Sequence, residues 1–359
     1  MRKEVDYIIV GQGVAGTLLH YFLEQKGKTV AVIDNHHQTA ASKVAAGIIN
    51  PITGRRYVKT WLAEELIPFA AQTYRALEQK LDFSFYHQIP LVRTLSNRSE
   101  ERFWDDRLLN EYYEQYMKEE ADLGNYKAFV SSEYQYAEIK QSAQAELGKL
   151  VETYRKQLEA KGEFLSEAFD YQLIKFEDNS IVYKHLQAKK LIFCEGNAAQ
   201  KNLFFNYLPF GGTKGEALIV KIPNTNFNRI LKQRIFIVPL QDDHYWIGAT
   251  NDKKDQTEAP TAEGKKYLVD YLEKVLNLPF EIIEHKAAIR PTVKDRRPFL
   301  GLHPRYEQFA IFNGLGTKGA SLAPYFAHHL TNFLTEGKDL MPEVDIKRYE
   351  ALTVDNSLK

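Results

Sequence analysis

The chain has 359 residues, 44% of them hydrophobic, and its 47 basic and 47 acidic side chains leave a formal net charge of zero at pH 7. This is enough for one large core or two cooperating ones, and it supplies no global electrostatic attraction to nucleic acid or an anionic membrane. The single cysteine, Cys194, excludes an internal disulfide, a C-x-x-C redox pair and a cysteine-based zinc site.

The N-terminus runs into an apolar strand without a signal-peptide core, and no apolar run approaches the roughly 18–20 residues of a membrane span, so a soluble cytoplasmic protein is expected. That strand, ending at Val10, leads into Gly11-Gln12-Gly13-Val14-Ala15-Gly16, a G-x-G-x-x-G. An apolar helical run follows (Ala15, Leu18, Leu19, Phe22, Leu23), and then a second strand, Thr29 to Ile33, that ends in Asp34. Together they predict a βαβ unit for a dinucleotide. Gly11 permits the tight turn, Gly13 the approach of a pyrophosphate, and Gly16 close helix packing, while the helix N-terminus attracts the phosphates. Asp34, 18 positions after Gly16, suits a ribose hydroxyl and disfavours a cofactor with a 2′-phosphate. The motif leaves FAD and NAD both open; a glycine turn in an ordinary α/β protein would not require the acid.

The polar loop Asn35 to Thr39 reads as solvated, and His36 with His37 lacks a third ligand, so no metal is expected. A small-residue run, Ala40 to Gly47, permits close backbone approach, and Asn50 to Arg56 is a turn carrying the adjacent guanidiniums of Arg55 and Arg56. Apolar spacing predicts helices over 60–81, 99–120, 138–161 (with Gly162 as its C-cap) and 262–276. Strands are expected at 83–86, 89–93, 164–176, 181–185, 190–194, 217–220, 234–239, 245–248 and 309–312. Cys194, at the end of an apolar strand, reads as a small core residue. An aromatic meander lodged between nucleotide-type segments predicts a discontinuous two-domain α/β enzyme.

Gly314, Leu315, Gly316, Thr317, Lys318 and Gly319 form a second G-x-G-x-x-G between a strand and a helix, 320–334. Only polar, charged sequence follows, so no strand completes a second βαβ unit. The turn reads instead as aiming a helix N-terminus at negative charge, such as a reduced flavin carries at N1 and the C2 carbonyl; a turn without a ligand stays open.

Several segments together carry a resemblance. They are the N-terminal glycine motif, Ser42 to Gly47, the strand ending Glu195-Gly196, and Phe210-Gly211-Gly212-Thr213-Lys214-Gly215-Glu216. The rest are Val238-Pro239 with Ile247-Gly248, Ile289-Arg290-Pro291 with Asp295 and Pro298, and Gly314 to Gly319. In this order the chain resembles the D-amino-acid oxidase (DAO) family of FAD-dependent oxidoreductases, the group with glycine and sarcosine oxidases. The resemblance implies an α/β fold in which a Rossmann-like FAD-binding domain (1–60, 135–205 and 287–345) is interleaved with an antiparallel-sheet substrate domain (61–134 and 206–286). It implies non-covalent FAD held by Gly11, Gly13, Gly16 and Asp34, where the family usually has Glu. Further cofactor contacts are expected from Ser42, Ala46, Gly47, Gly196, Gly314, Gly316, Thr317, Lys318 and Gly319.

Arg290 matches an arginine that binds the substrate carboxylate in amino-acid-oxidising members, a role that suits a planar guanidinium. Arg55 or Arg56 resembles a second active-site arginine of sarcosine-oxidase-like members. Those members also carry a flavin-linking cysteine near the Arg-Pro pair and a lysine over the flavin. The chain has neither at the matching positions, so its electron acceptor is open. The function implied is oxidation of a small amine or amino acid by hydride transfer from the α-carbon to flavin N5, giving an imine that hydrolyses. The alternatives are a flavin-containing tRNA-modifying enzyme acting on an aminomethyl group, which the neutral charge disfavours, or an NAD-dependent dehydrogenase. The expected partner is a small-molecule substrate; nothing in the sequence sets the oligomeric state.

Overall fold

A computed structural model describes residues 2–352 and divides the chain into two compact units. The first comprises the chain up to Lys43, Leu147–Thr213 and the part from Ile289 onward; the second comprises Val44–Glu146 and Lys214–Ala288. These divisions differ from the expected ones at both ends of the first insertion and at the start of the second, since 206–213 lies in the first unit. Ile48–Ile49 pairs with Ala143–Ala145, and Gln135–Ile139 pairs with Leu91–Leu95, so 44–60 and 135–146 belong with the second unit.

The first unit is built on an eight-stranded sheet. Lys3–Val10 pairs in parallel with Val30–Asp34 on one side and Leu186–Phe193 on the other, and Phe309–Asn313 extends the parallel core beside Leu186–Phe193. Such strands are covered on both faces, which is why they read as continuous apolar runs. Ile8, Val10, Ala31, Ile33, Leu191 and Phe193 join one core, with Phe205, Phe299 and Phe309. The helix Val14–Gln25 is buried from Val14 to Leu23, and Phe22 meets His328 of the helix Gly319–Glu336 with ring centroids 5.2 Å apart. Cys194 is buried and free, as expected of a core residue.

The second unit holds another eight-stranded sheet, in the order Glu281–Val293, Phe210–Lys221, His244–Gly248, Phe236–Pro239, Ile230–Lys232, Leu91–Leu95, Gln135–Ile139 and Met117–Lys118. Val92, Leu218, Leu231, Ile237 and Ile247 form one core with Leu268 and Leu272 of the helix Ala262–Val275. Successive strand residues face opposite sides, so that core fixes the opposite face as well.

Two expected helices are shorter than their patterns. The 99–120 pattern is divided into two helices, Arg98–Leu108 and Glu111–Glu114, because Asn110 accepts from the Tyr112 N–H and caps a new start, and Met117–Lys118 is a strand. The 138–161 pattern gives helix over Leu147–Ala160; its first part is strand, because Ala143–Ala145 finds partners on two sides. The 164–176 segment is likewise divided, into Phe164–Ser166, a 3-10 turn at Tyr171–Leu173 and Ile174–Glu177. Among the described residues, no helix is long and apolar enough to cross a membrane.

Candidate cofactor and substrate site

At the end of the first strand the backbone turns at Gly11, whose φ of +95° favours glycine; a Cβ there would stand 2.5 Å from the Cys194 carbonyl oxygen. Gly16 is needed for closeness: its Cβ would lie 2.0 Å from the Gly11 carbonyl oxygen. Gly13 precedes the helix Val14–Gln25 and gives it no side-chain cap, and no acid stands in its first turn. Ser42, in the short helix Ala41–Val44, accepts from the Val14 N–H at 3.0 Å, which brings its hydroxyl to the glycine motif.

Asp34 ends the second strand beside that turn. Its Oδ2 accepts from the Gln12 N–H at 2.8 Å, and its Oδ1 from the His36 N–H at 2.7 Å and from Nη2 of Arg155 at 2.6 Å. An ionised carboxylate offers about four acceptor sites, so one remains on Oδ2 for a ribose hydroxyl. Arg155 also donates through Nε to Gln12 Oε1 at 2.6 Å and contacts His36 Nδ1. Gln12 in turn donates to Thr17 and to the Val151 carbonyl. His36 therefore belongs to this network, and among the described residues no group of side chains could hold a metal ion.

The second glycine cluster lies in the same unit. Asn313, at the end of the strand Phe309–Asn313, donates to the Gly196 carbonyl at 3.0 Å and accepts from the Gly314 N–H at 2.7 Å, joining two predicted contacts through a residue that sequence reasoning did not single out. Gly316 donates its N–H to the Pro291 carbonyl at 3.0 Å, which ties the turn to the residue after Arg290. Thr317 is exposed at the apex, and Lys318 stands at the N-cap of the helix Gly319–Glu336. That helix also lacks a side-chain cap and an acid in its first turn. A Cβ at Gly319 would lie 3.5 Å from Val14, so the two helices start side by side. Burial, together with Arg296 and Arg297, pulls the Lys318 ammonium below its ordinary pKa. Two helix N-termini and these cations make this end of the sheet attractive to negative charge. That donor set fits a dinucleotide with an anion-stabilising ring.

Arg290 lies on the strand Glu281–Val293, with burial lowering its pKa. Arg55 and Arg56 are exposed on the hairpin turn between Ile52–Thr53 and Val58–Lys59 of the second unit, where the Arg56 carbonyl accepts from Arg107 Nε. Ala46 is buried in that unit, and the Gly47 carbonyl accepts from the Ala145 N–H at 2.9 Å. The Lys214 to Glu216 segment serves packing: Lys214 donates to Asp255, and Glu216 accepts from both the N–H and hydroxyl of Thr261. Tyr245 is core, its hydroxyl accepting from the Phe227 N–H, whereas Trp246 is partly exposed and donates to the Val44 carbonyl.

Sequence reasoning missed Arg155. A signal was present: in the helix Leu147–Ala160 the buried positions are Leu147, Leu150, Val151, Tyr154, Arg155 and Leu158, so the arginine interrupts an apolar stripe.

The chain matches the family of FAD dependent oxidoreductases (DAO) over residues 6–333. It is 22% identical to glycine oxidase of Bacillus licheniformis over 347 residues, covering 90% of this chain and 91% of that enzyme. Its fold is similar to those of glycine oxidase from Geobacillus kaustophilus (TM-score 0.80, 18% identity, 97% of this chain and 98% of that one) and iminodiacetate oxidase from Chelativorans sp. BNC1 (0.79, 18%, 96% and 98%). L-proline dehydrogenase from P. horikoshii is similar too (0.78, 15%, 98% and 99%). The family match sets aside the nicotinamide reading that the first glycine motif left open. With that match spanning most of its length, the chain belongs to the DAO family of FAD-dependent oxidoreductases.

Proposed function

We propose that this FAD-dependent oxidoreductase oxidises a small amine or amino acid, with FAD held non-covalently by the first unit. The observation that carries the reading is the paired helix start at Val14 and Gly319, with the second turn anchored through Gly316 to Pro291, next to Arg290. In this reading Gly11, Gly13, Gly16 and Ser42 line the pyrophosphate and the open site on Asp34 takes the ribose. Gly196 and the turn Gly314, Gly316, Thr317, Lys318 and Gly319 face the flavin side. Ala46 and Gly47 remain proposed contacts from the small-residue loop.

When bound, FAD would supply a two-electron acceptor for the hydride of the substrate α-carbon, and the resulting imine would hydrolyse in water. The protein's part is positioning. Arg290 holds the substrate carboxylate by a bidentate contact, which fixes the α-carbon; no side chain has to move a proton if the amine binds neutral. The helix start at Gly319, with Lys318, stabilises negative charge after reduction. The names of similar enzymes support an amine or amino-acid substrate, since they include glycine, iminodiacetate and L-proline. The test is anaerobic reduction of the purified flavoprotein across a panel of amino acids and secondary amines, followed at the flavin absorption band. Bleaching by at least one amine is expected. A flavin that no member of the panel reduces would overturn the reading.

A further inference from the structure

Within the second unit, Arg93 and Lys232 are register partners on adjacent strands, Leu91–Leu95 and Ile230–Lys232. Lys232 is paired in turn with Phe236. Their neighbours Val92, Leu231 and Ile237 face the core against Leu268 and Leu272, so Arg93, Lys232 and Phe236 share the opposite face of the sheet. Two cations side by side on one face repel each other unless an anion joins them. Among the described residues, no carboxylate pairs with either.

What surrounds them is aromatic. The Lys232 ammonium lies 3.9 Å from the Phe236 ring centroid and donates to the Arg234 carbonyl at 2.8 Å. The Arg93 guanidinium lies 5.3 Å from the Tyr57 ring centroid, and Tyr57 meets Trp104 edge-on with centroids 5.0 Å apart. Cation–π contacts hold a cation without neutralising it. Hydrogen-bond donors are also left over: Trp104 Nε1 is buried without a partner, and the Tyr57 hydroxyl, which accepts from the Arg93 guanidinium, keeps its own O–H to donate. Tyr57 and Trp104 are each only 1% exposed, so water does not substitute readily. Buried donors are ordinarily satisfied, and a cluster of unsatisfied ones beside two cations describes a place for acceptor oxygens.

We propose that Arg93, Lys232 and Tyr57 form a subsite for the carboxylate of a small acidic molecule. The guanidinium presents a planar fork to the two oxygens, the ammonium supplies a second charge, and the partly exposed Phe236 makes an apolar wall for the carbon chain. Burial and the adjacent Arg93 bring the unliganded Lys232 ammonium down to about 7, the cost that a bound anion would remove. Glu100, the acid that bears on Tyr57, accepts from the Ser96 N–H and does not fill the place.

The test uses the FAD-loaded enzyme and isothermal calorimetry with glutarate as probe, glutaramide as its uncharged counterpart and inorganic phosphate as a competing anion. Wild type is expected to bind glutarate at least tenfold more tightly than glutaramide. Arg93→Gln and Lys232→Met should each weaken glutarate about tenfold and leave glutaramide unchanged, while Arg93→Lys, which keeps the charge, should lose less. Circular dichroism and flavin content report whether each variant is folded. Equal glutarate affinity in wild type and all three variants overturns the subsite, and so does phosphate binding more tightly than glutarate at these residues. Glutarate that competes with a reducing amine identifies the carboxylate as the substrate's own. Glutarate that binds without competing identifies a separate acid. Because calorimetry does not depend on flavin reduction, failure of the amine-oxidation reading would leave this result intact.

Discussion

Arg155 places Nη2 2.6 Å from Asp34 Oδ1 while its Nε stands 2.6 Å from Gln12 Oε1, so one buried guanidinium fixes both the acid after the second strand and the middle residue of the first glycine pair. Its side chain is 4% exposed and that of Asp34 14%. Asp34 is therefore the counter-ion of a buried arginine as well as the expected ribose acceptor.

Asp34→Ala should damage both roles. Removing one partner of a buried ion pair typically costs about 3–5 kcal/mol, because the other charge stays buried without compensation. The ribose contact, a hydrogen bond to a charged group, is worth about 1.5–3 kcal/mol, so FAD affinity should fall roughly tenfold or more. Arg155→Met should be milder for the fold, because the Asp34 carboxylate keeps the Gln12 and His36 N–H groups. Thermal melts of the apoprotein and fluorescence titration with FAD separate the two effects. An Asp34→Ala apoprotein that melts with wild type would refute the structural role, and unchanged flavin affinity would refute the ribose role.

Glu195 predicts a pH dependence. The residue follows Cys194 beside Gly11; Tyr171 donates to its Oε1 at 2.5 Å and Asn202 to its Oε2 at 2.7 Å. Burial pushes its carboxyl pKa up, against the pull of both hydrogen bonds. Below the ordinary value of 4.5 the folded and unfolded chains both carry the proton. As pH rises through that value the unfolded chain loses it first, so this group's contribution to stability declines until the raised pKa is passed. Glu195→Gln should match wild type in stability near pH 4 and gain on it progressively toward pH 7, as read from denaturant melts. A difference that does not change with pH would count against the assignment.

Non-covalent FAD is the third expectation. The only cysteine is buried, and burial raises its thiol pKa well above the ordinary value, which suppresses the thiolate needed for attachment. Acid precipitation should release all the flavin to the supernatant. Yellow colour retained by the washed pellet would contradict this.

The βαβ unit was legible in the sequence because each of its parts is local. Gly11 is marked by its positive φ at the turn, Gly16 by the Gly11 carbonyl five residues before it, and Asp34 ends a strand of uninterrupted apolar residues. The residues that hold those parts in place were less visible. Arg155 is 121 positions from Asp34 in the chain, and Asn313 is 117 from Gly196, so only tertiary structure brings them together. The same limit explains the helix predicted to begin at 138, since the pairing of Ala143 with Ile49 and Gln88 overrides local pattern. The pairing of Arg93 with Lys232 was hidden for this reason too: their strands adjoin in the sheet but lie far apart in the chain.

Arg290 provides the last prediction, because it separates an amino-acid enzyme from a simple amine oxidase. It is partly buried on a strand whose next residue, Pro291, accepts from Gly316 in the turn at the helix start. If its guanidinium holds the substrate carboxylate, Arg290→Lys keeps the charge and loses the bidentate geometry, while Arg290→Ala leaves the carboxylate without its partner. Losing one member of such a pair costs about 2–5 kcal/mol, so anaerobic flavin reduction by an amino acid should slow at least roughly thirtyfold in Arg290→Ala. The decarboxylated analogue should be nearly unaffected, and FAD should remain bound, because Pro291 presents a backbone carbonyl to Gly316 that the substitution leaves in place. Rates measured in wild type and both variants, with an amino acid and its amine analogue, decide the matter. Equal losses for the two substrates would make Arg290 structural and move the carboxylate contact to another cation, with Arg55 and Arg56 the next to substitute.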